Sequence, residues 1–336
     1  MTVRSEPVLV TGATGFVGSH ITRALAAAGH AVRCTVRPSS RLAWIEDLDV
    51  QRVPADLSDE ASLRAAVEGI GAVVHAAGLT RAGDPAEYEA VNVGGTERLA
   101  RLARAAGVRR FVLVSSLAAR GPDHRDLPAG VDPVAGGDAP VSAYGRSKRE
   151  AEKRLLGIAR EPGGAFEPVI LRPTGVYGPR DADLLPLFRM AARGFLVAPA
   201  GPGRLQPVYA EDVGRAVVIG AVGSAGPGPW DIAGTSVHDW SEVARELGAA
   251  VGRRVRVLRV PPRLLESAGA VAELAARLRG IRPVFDRRRA TDLARHEWTC
   301  DVSVTERGLG WRADVSLADG LRRTAAWYRG AGWIPA

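Results

Sequence analysis

A chain of 336 residues with 46% apolar and 24% charged residues has an ordinary globular composition, enough for one large α/β domain or two smaller ones. Its two cysteines, Cys34 and Cys300, give no disulfide framework or CxxC site and read as small buried hydrophobes, and the histidines lack metal-ligand spacing, so no metal is expected. The formal charge of +8 reads as a solvated Arg-rich surface scattered through helices rather than a nucleic-acid patch; no 18-residue apolar run and no apolar signal region after Met1 predict a cytoplasmic protein without a membrane span.

From Pro7 to Arg172 short β-branched runs alternate with longer Ala/Leu/Arg-rich runs, the pattern of repeated βαβ units. Strands are predicted at 7–11, 31–36, 50–55, 72–75, 110–115 and 168–172, and helices at 16–29, 59–69, 87–107 and 143–160. Asp59 and Glu60 favour the start of the second helix through its dipole, and Gly107 closes the third. Two Gly/Pro-rich segments, 120–140 and 198–207, read as loops. Beyond Arg172 the alternation fades, and an apolar helix at 264–279 is expected in a cap over a ligand. The predicted architecture is α/β: a doubly wound parallel sheet (Rossmann fold) over 1–176, with 205–234 packing back on it, and a smaller C-terminal substrate-binding cap over 177–336.

Directly after the first strand, TGATGFVG places Gly12, Gly15 and Gly18 at the turn into a helix, with Thr14, Phe16 and Val17 in the same turn. Glycines there admit a dinucleotide pyrophosphate to the helix N-terminal amides; the spacing is GxxGxxG rather than GxGxxG. No acid lies between residues 33 and 43, but Arg37 and Arg41 do, which favours the 2′-phosphate of NADP over NAD; two solvated arginines are the alternative. Asp56 and Leu57 fall beside the adenine, and Asp56 is equally placed to cap the following helix. In HAAG, Ala76, Ala77 and Gly78 end a strand against the ligand, while His75 reads as packed rather than catalytic. Asn92, a poor interior helix residue, calls for a side-chain bond to a neighbouring backbone.

VLVSS ends the fifth strand with Ser115 and Ser116 at the carboxyl edge of the sheet, where a hydroxyl can hold a substrate oxygen or cap a loop. One of only two lysines, Lys148, follows Tyr144 by four positions in YGRSK, one helical turn away on the same face. A phenol titrates near 10, but a cation about 4 Å away stabilises the phenolate by up to about 4 kcal/mol at an effective dielectric of about 20, bringing proton exchange towards neutral pH.

TGATGFVG, Asp56, HAAG, Asn92, VSS, YGRSK and LRPTGVYGPR together resemble the extended short-chain dehydrogenases/reductases, the NAD-dependent epimerase/dehydratase superfamily, over about residues 7–235. That resemblance implies Tyr144 as proton donor or acceptor, Lys148 on the nicotinamide ribose, Ser116 (five residues before Gly121) rather than Ser115 as the orienting hydroxyl, Pro173 to Val176 along the nicotinamide, and a homodimer through the Tyr144 helix. The pattern is most similar to dihydroflavonol reductases and 3β-hydroxysteroid or sterol dehydrogenases. Sugar dehydratases carry an Asp-Glu pair where this chain has Leu117 and Ala118, and nucleotide-sugar epimerases often carry Asn where it has Thr174. The expected activity is NAD(P)-dependent hydride transfer on a secondary alcohol or ketone. The apolar residues Leu264, Leu265, Val271, Leu274 and Leu278 suggest a hydrophobic, steroid-like small-molecule substrate, although at helical spacing such residues are more often core. A nucleotide-sugar epimerase with tightly bound NAD is the alternative.

Overall fold

Strands β1 (Val8–Thr11), β4 (Ala72–His75) and β5 (Arg110–Val114) are buried on both faces, as their continuous Val/Leu runs require of a sheet covered by helices on either side. The computed structural model describes residues 6–122, 139–201, 203–223, 225–278, 290–291 and 297–335. With β2 (Val32–Val36), β3 (Gln51–Pro54), β6 (Glu167–Pro173) and β10 (Trp230–Ile232) they form one parallel sheet of seven strands, ordered β10-β6-β5-β4-β1-β2-β3. The chain leaves β1 towards β2 and β3, then returns to β4 on the other side of β1. Between the carboxyl ends of β1 and β4 this reversal opens the crevice in which open α/β sheets bind ligands.

Side-chain alternation divides the core between the two faces. Val8, Val10, Val112 and Val114 pack with Ile21 and Leu25 of α1 (Phe16–Ala27) and Val213 and Val217 of α7 (Ala210–Val222). Leu9, Val73, Phe111 and Leu113 pack with Leu63 of α2 (Glu60–Val67), Leu99 of α4 (Gly95–Ala105) and Leu155 of α5 (Ala143–Arg160). Each fully buried Leu, Val or Phe contributes roughly 1.5–3 kcal/mol. The helix expected over 87–107 is interrupted: α3 (Pro85–Tyr88), capped by Asp84 and Glu87, runs into a π-helical stretch over Glu89–Gly94 before α4 begins.

A smaller C-terminal unit has its own core of Phe188, Leu196, Tyr209, Trp240, Leu247, Leu321 and Tyr328. It is assembled from α6 (Leu185–Ala192), α8 (Trp240–Val251) and the C-terminal helix Leu317–Gly330 and two parallel strand pairs, β7 (Val176–Tyr177) with β9 (Val208–Tyr209), and β8 (Phe195–Pro199) with β11 (Arg256–Val260). The segment expected to be a loop over 198–207 thus begins inside β8 and is pinned at Leu205 by a bridge to His238.

The apolar cap helix is present as α9 (Pro262–Leu278), but four of the five large side chains expected to line a pocket face solvent. Leu264, Val271, Leu274 and Leu278 are 62%, 67%, 59% and 81% exposed, whereas Leu265 is 7% exposed. Cys34 is buried, and burial pushes its thiol up to about 11; Cys300 is only half-buried, so it is not the core residue expected. Most of the loop expected over 120–140 lies outside the described residues.

Candidate functional site

At the sheet's switch point the glycine turn is dictated by space. Gly12 has a φ of 73°, and a Cβ there would stand 2.7 Å from the Ala77 nitrogen and 2.8 Å from the Ala76 carbonyl carbon. A Cβ on Gly18 would stand 2.0 Å from the Gly12 oxygen, so β1, α1 and the Ala76–Ala77 segment close on one another only through these two glycines. The first turn of α1 carries no acidic side chain and no side-chain cap, leaving its amides directed at the crevice. Glycines that admit close backbone approach and an anion-seeking helix end fit a dinucleotide pyrophosphate, held by the Gly12–Gly18 turn with Thr14, Phe16 and Val17 half-buried in it.

A buried polar chain fixes the floor. Ala77 N–H donates to Thr11 Oγ1, which is 2.7 Å from His75 Nδ1; His75 Nε2 is 3.0 Å from Thr96 Oγ1, which in turn donates to the Asn92 carbonyl. Because both threonine hydroxyls are committed in this direction, His75 carries its proton on Nε2 and is neutral. Burial first, and the Lys148 charge second, push it down to about 3. His75 is therefore packed, as its position in the sequence suggests.

Asn92 lies in the π-helical stretch and reaches away from its own helix. Its Oδ1 accepts from Leu79 N–H at 2.7 Å, and its Nδ2 donates to the Leu79 carbonyl and to Ser147 Oγ, both at 3.0 Å. Ser147 passes the chain on to the Tyr144 carbonyl at 2.8 Å. The widened turn thereby clamps the segment after β4 to the helix that carries Tyr144. At Gly78 a Cβ would stand 2.9 Å from Asn92 Oδ1 and 3.6 Å from Lys148 Nζ, which brings these three residues together.

Tyr144 and Lys148 occupy successive turns of α5, whose predicted bounds of 143–160 are those observed. Ser142 caps the helix, accepting from Gly145 N–H at 3.0 Å. Gly145 allows the first turn to rest on the 3₁₀ turn Leu117–Ala119, since a Cβ there would be 2.3 Å from the Ala118 oxygen; Tyr144 is thus set beside the Ser116 segment. The half-buried Tyr144 ring also packs on Tyr88, centroids 6.0 Å apart. Lys148 is buried and donates to the Val114 carbonyl at 3.0 Å. Burial pushes its ammonium down to about 8, against the opposing effect of the Glu152 carboxylate.

The two serines differ. Ser115 is buried and its hydroxyl donates to Glu152 Oε1 at 2.5 Å. Ser116 is half-buried and caps the 3₁₀ turn, its Oγ accepting from Ala118 N–H at 3.2 Å. Glu152, fully buried, is also held by Arg172 through contacts of 2.9 and 2.5 Å. This Ser115–Glu152–Arg172 cluster escapes sequence reasoning, although Glu152 extends the four-residue spacing of Tyr144 and Lys148.

At the end of β2, Arg37 and Arg41 are exposed. Asp56 does not cap α2; that role falls to Asp59, which accepts from Ala61 N–H at 3.1 Å, while Asp56 folds back on Ser58. Hydrogen bonds from the Ser58 hydroxyl and amide hold the Asp56 carboxyl below its usual range, with burial opposing and the nearby Arg37 charge assisting. Leu57 packs over Gly95. Pro173 and Val176 leave the sheet edge in register with Ile232 and Val208, and the Thr174 hydroxyl between them is spent on the Gln206 carbonyl at 2.7 Å.

Comparison with known proteins agrees with this geometry. The model of the NAD dependent epimerase/dehydratase family matches residues 8–228. Ceramide reductase of Caulobacter vibrioides is 32% identical over 98% of this chain and 96% of its own length. UDP-glucose 4-epimerase of Vibrio cholerae is 28% identical over 95% of this chain and 94% of its own. The crystal structure of gox2253 superposes with a TM-score of 0.76 at 26% identity, covering 98% of this chain and all of that one. Its sequence pattern, its seven-stranded parallel sheet and these matches place the chain in the NAD-dependent epimerase/dehydratase family, as an NAD(P)-dependent enzyme of the extended short-chain dehydrogenase/reductase type.

Proposed function

We propose that this enzyme is a cytoplasmic, homodimeric oxidoreductase that interconverts a secondary alcohol and a ketone on a hydrophobic substrate, with Tyr144 as the acid/base group and NADP as the preferred carrier. The observation that carries the reading is the placement of Tyr144 and Lys148 on successive turns of a helix docked, through Gly145, against the Ser116 turn. When bound, the nicotinamide supplies or accepts the hydride. Tyr144 gives its hydroxyl proton to the substrate oxygen or takes one from it, and the Lys148 ammonium lowers the cost of the phenolate. Ser116 Oγ accepts from Ala118 N–H and so retains its own O–H to donate to that oxygen, whereas the Ser115 O–H is spent on Glu152.

Support for a hydrophobic substrate comes from the similarity to a ceramide reductase. The exposed α9 side chains do not supply it. NADP rests on Arg37 and Arg41 with no acid between residues 33 and 43. An epimerase with retained NAD is favoured by the Vibrio cholerae relative, but the Thr174 hydroxyl, turned to Gln206, offers no amide to a nucleotide sugar.

Two measurements test the proposal. NADPH is expected to bind about tenfold tighter than NADH, and Arg37→Ala to remove the difference; equal affinities in the unaltered protein overturn the cofactor assignment. With a panel of alicyclic and long-chain ketones, NADPH loss should match product one for one. Conversion of a sugar nucleotide without net cofactor change overturns the reductase reading.

A further inference from the structure

The outer surface of α9 inverts the usual order of a docked helix. It buries Leu265 and Gly269 against the body while Leu264, Val271, Leu274 and Leu278, at spacings of 7, 3 and 4 residues, form one stripe facing solvent. Nine large hydrophobic side chains are exposed among the described residues; five of them fall between Leu258 and Leu278, and the other four stand singly elsewhere. β11 leads straight into this helix as the outer strand of its pair, presenting Arg256, Leu258 and Arg259 to solvent.

Charge collects in the same stretch, contrary to the scattered distribution expected from the sequence. Of the 45 basic and 37 acidic residues, 11 arginines and 3 acids lie within 253–289, an excess of eight that is the whole formal charge of the chain. The remaining 34 basic and 34 acidic residues cancel. Among the described residues, the exposed Arg256 and Arg259 of β11 and Arg263 at the start of α9 accompany the apolar stripe, a combination complementary to one surface chemistry, a bilayer whose headgroups are anionic. A second copy of the chain would set two such positive stretches against each other. No helix among the described residues is long and apolar enough to cross a membrane, so α9 would lie on the bilayer rather than span it.

We propose that α9, with β11 beside it, is a docking surface by which the enzyme binds peripherally to anionic phospholipid membranes. Vesicle binding is read without turnover, so the docking stands or falls independently of the reaction proposed above. The test is flotation of the full chain with vesicles of 30% phosphatidylglycerol in phosphatidylcholine, against pure phosphatidylcholine. Binding to the anionic vesicles is expected, weakened at least about tenfold in the triple variant V271E/L274E/L278E and in 0.5 M NaCl, while Val304→Glu, on a separate exposed side chain, leaves it unchanged. All three substituted side chains are exposed, and an unchanged melting temperature verifies that the triple variant is folded. Absence of flotation, equal flotation with pure phosphatidylcholine, or wild-type flotation of the triple variant overturns the proposal. So does a dimer in light scattering that the triple variant alone abolishes, because the stripe would then be covered by a second copy.

Discussion

Lys148 and Glu152 sit one turn apart on α5, both nearly inaccessible to solvent, and the carboxylate opposes the burial that pushes the ammonium down to about 8. Glu152 is itself neutralised by Arg172. In Glu152→Gln the opposing influence disappears and the buried Arg172 loses the Glu152 carboxylate, so Lys148 should lose its proton at lower pH. The alkaline limb of kcat/KM is expected to move down by about half a pH unit or more, with a stability loss of about 3 kcal/mol in urea titrations. An unmoved limb would leave Glu152 a purely structural role.

Lys148 itself should be kept at a cost in stability. Its folded pKa lies below its unfolded value of 10.5, so between about pH 8 and 10.5 the unfolded chain binds more protons and this group's contribution to stability rises with pH. The span corresponds to an order of magnitude of 3 kcal/mol. Urea titrations at pH 7.5 and 10 should show the wild type gaining relative to Lys148→Met, which has nothing to titrate. Equal pH dependence in the two proteins would mean that the ammonium is better solvated than its burial implies.

The serines should separate cleanly. Ser116→Ala is expected to lower kcat by about 10- to 100-fold with little change in melting temperature, because it would remove the donor proposed for the substrate oxygen. Ser115→Ala should cost about 1–3 kcal/mol of stability, since Glu152 loses a buried hydrogen bond, with a smaller effect on turnover. The opposite pattern would reassign the orienting hydroxyl.

Acid sensitivity should trace to two histidines. His75, pushed to about 3, and His20, pushed to about 4 chiefly by burial, both remain neutral in the fold while the unfolded chain protonates them below about 6.5. Stability is therefore expected to fall as pH drops from 6.5 towards 4. His75→Gln should flatten that slope when urea midpoints are compared at pH 7 and 4.5.

The sheet and α5 were legible because their signals are local: buried parallel strands are unbroken apolar runs, and the four-residue spacing of Tyr144 and Lys148 fits one helical turn. The break in the helix at 89–94 was not, since it follows from Asn92 pairing with Leu79, a contact across 13 residues that no periodicity encodes. Gly145 and Arg172 were hidden for the same reason: one is explained by the Ala118 carbonyl, the other by Glu152. On α9 the sequence pattern reveals an apolar face, but only packing reveals that Leu264, Val271, Leu274 and Leu278 turn to solvent while Leu265 and Gly269 turn inward.

In the proposed reaction the Tyr144 hydroxyl exchanges a proton with substrate beside the bound nicotinamide. The most direct test of that exchange is the hydride-transfer rate of Tyr144→Phe on a substrate found by the ketone panel, measured together with NADPH affinity. A rate lower by at least about 100-fold, with affinity within about threefold of wild type, is expected. Hydride transfer at the wild-type rate without that hydroxyl would contradict the proposed exchange.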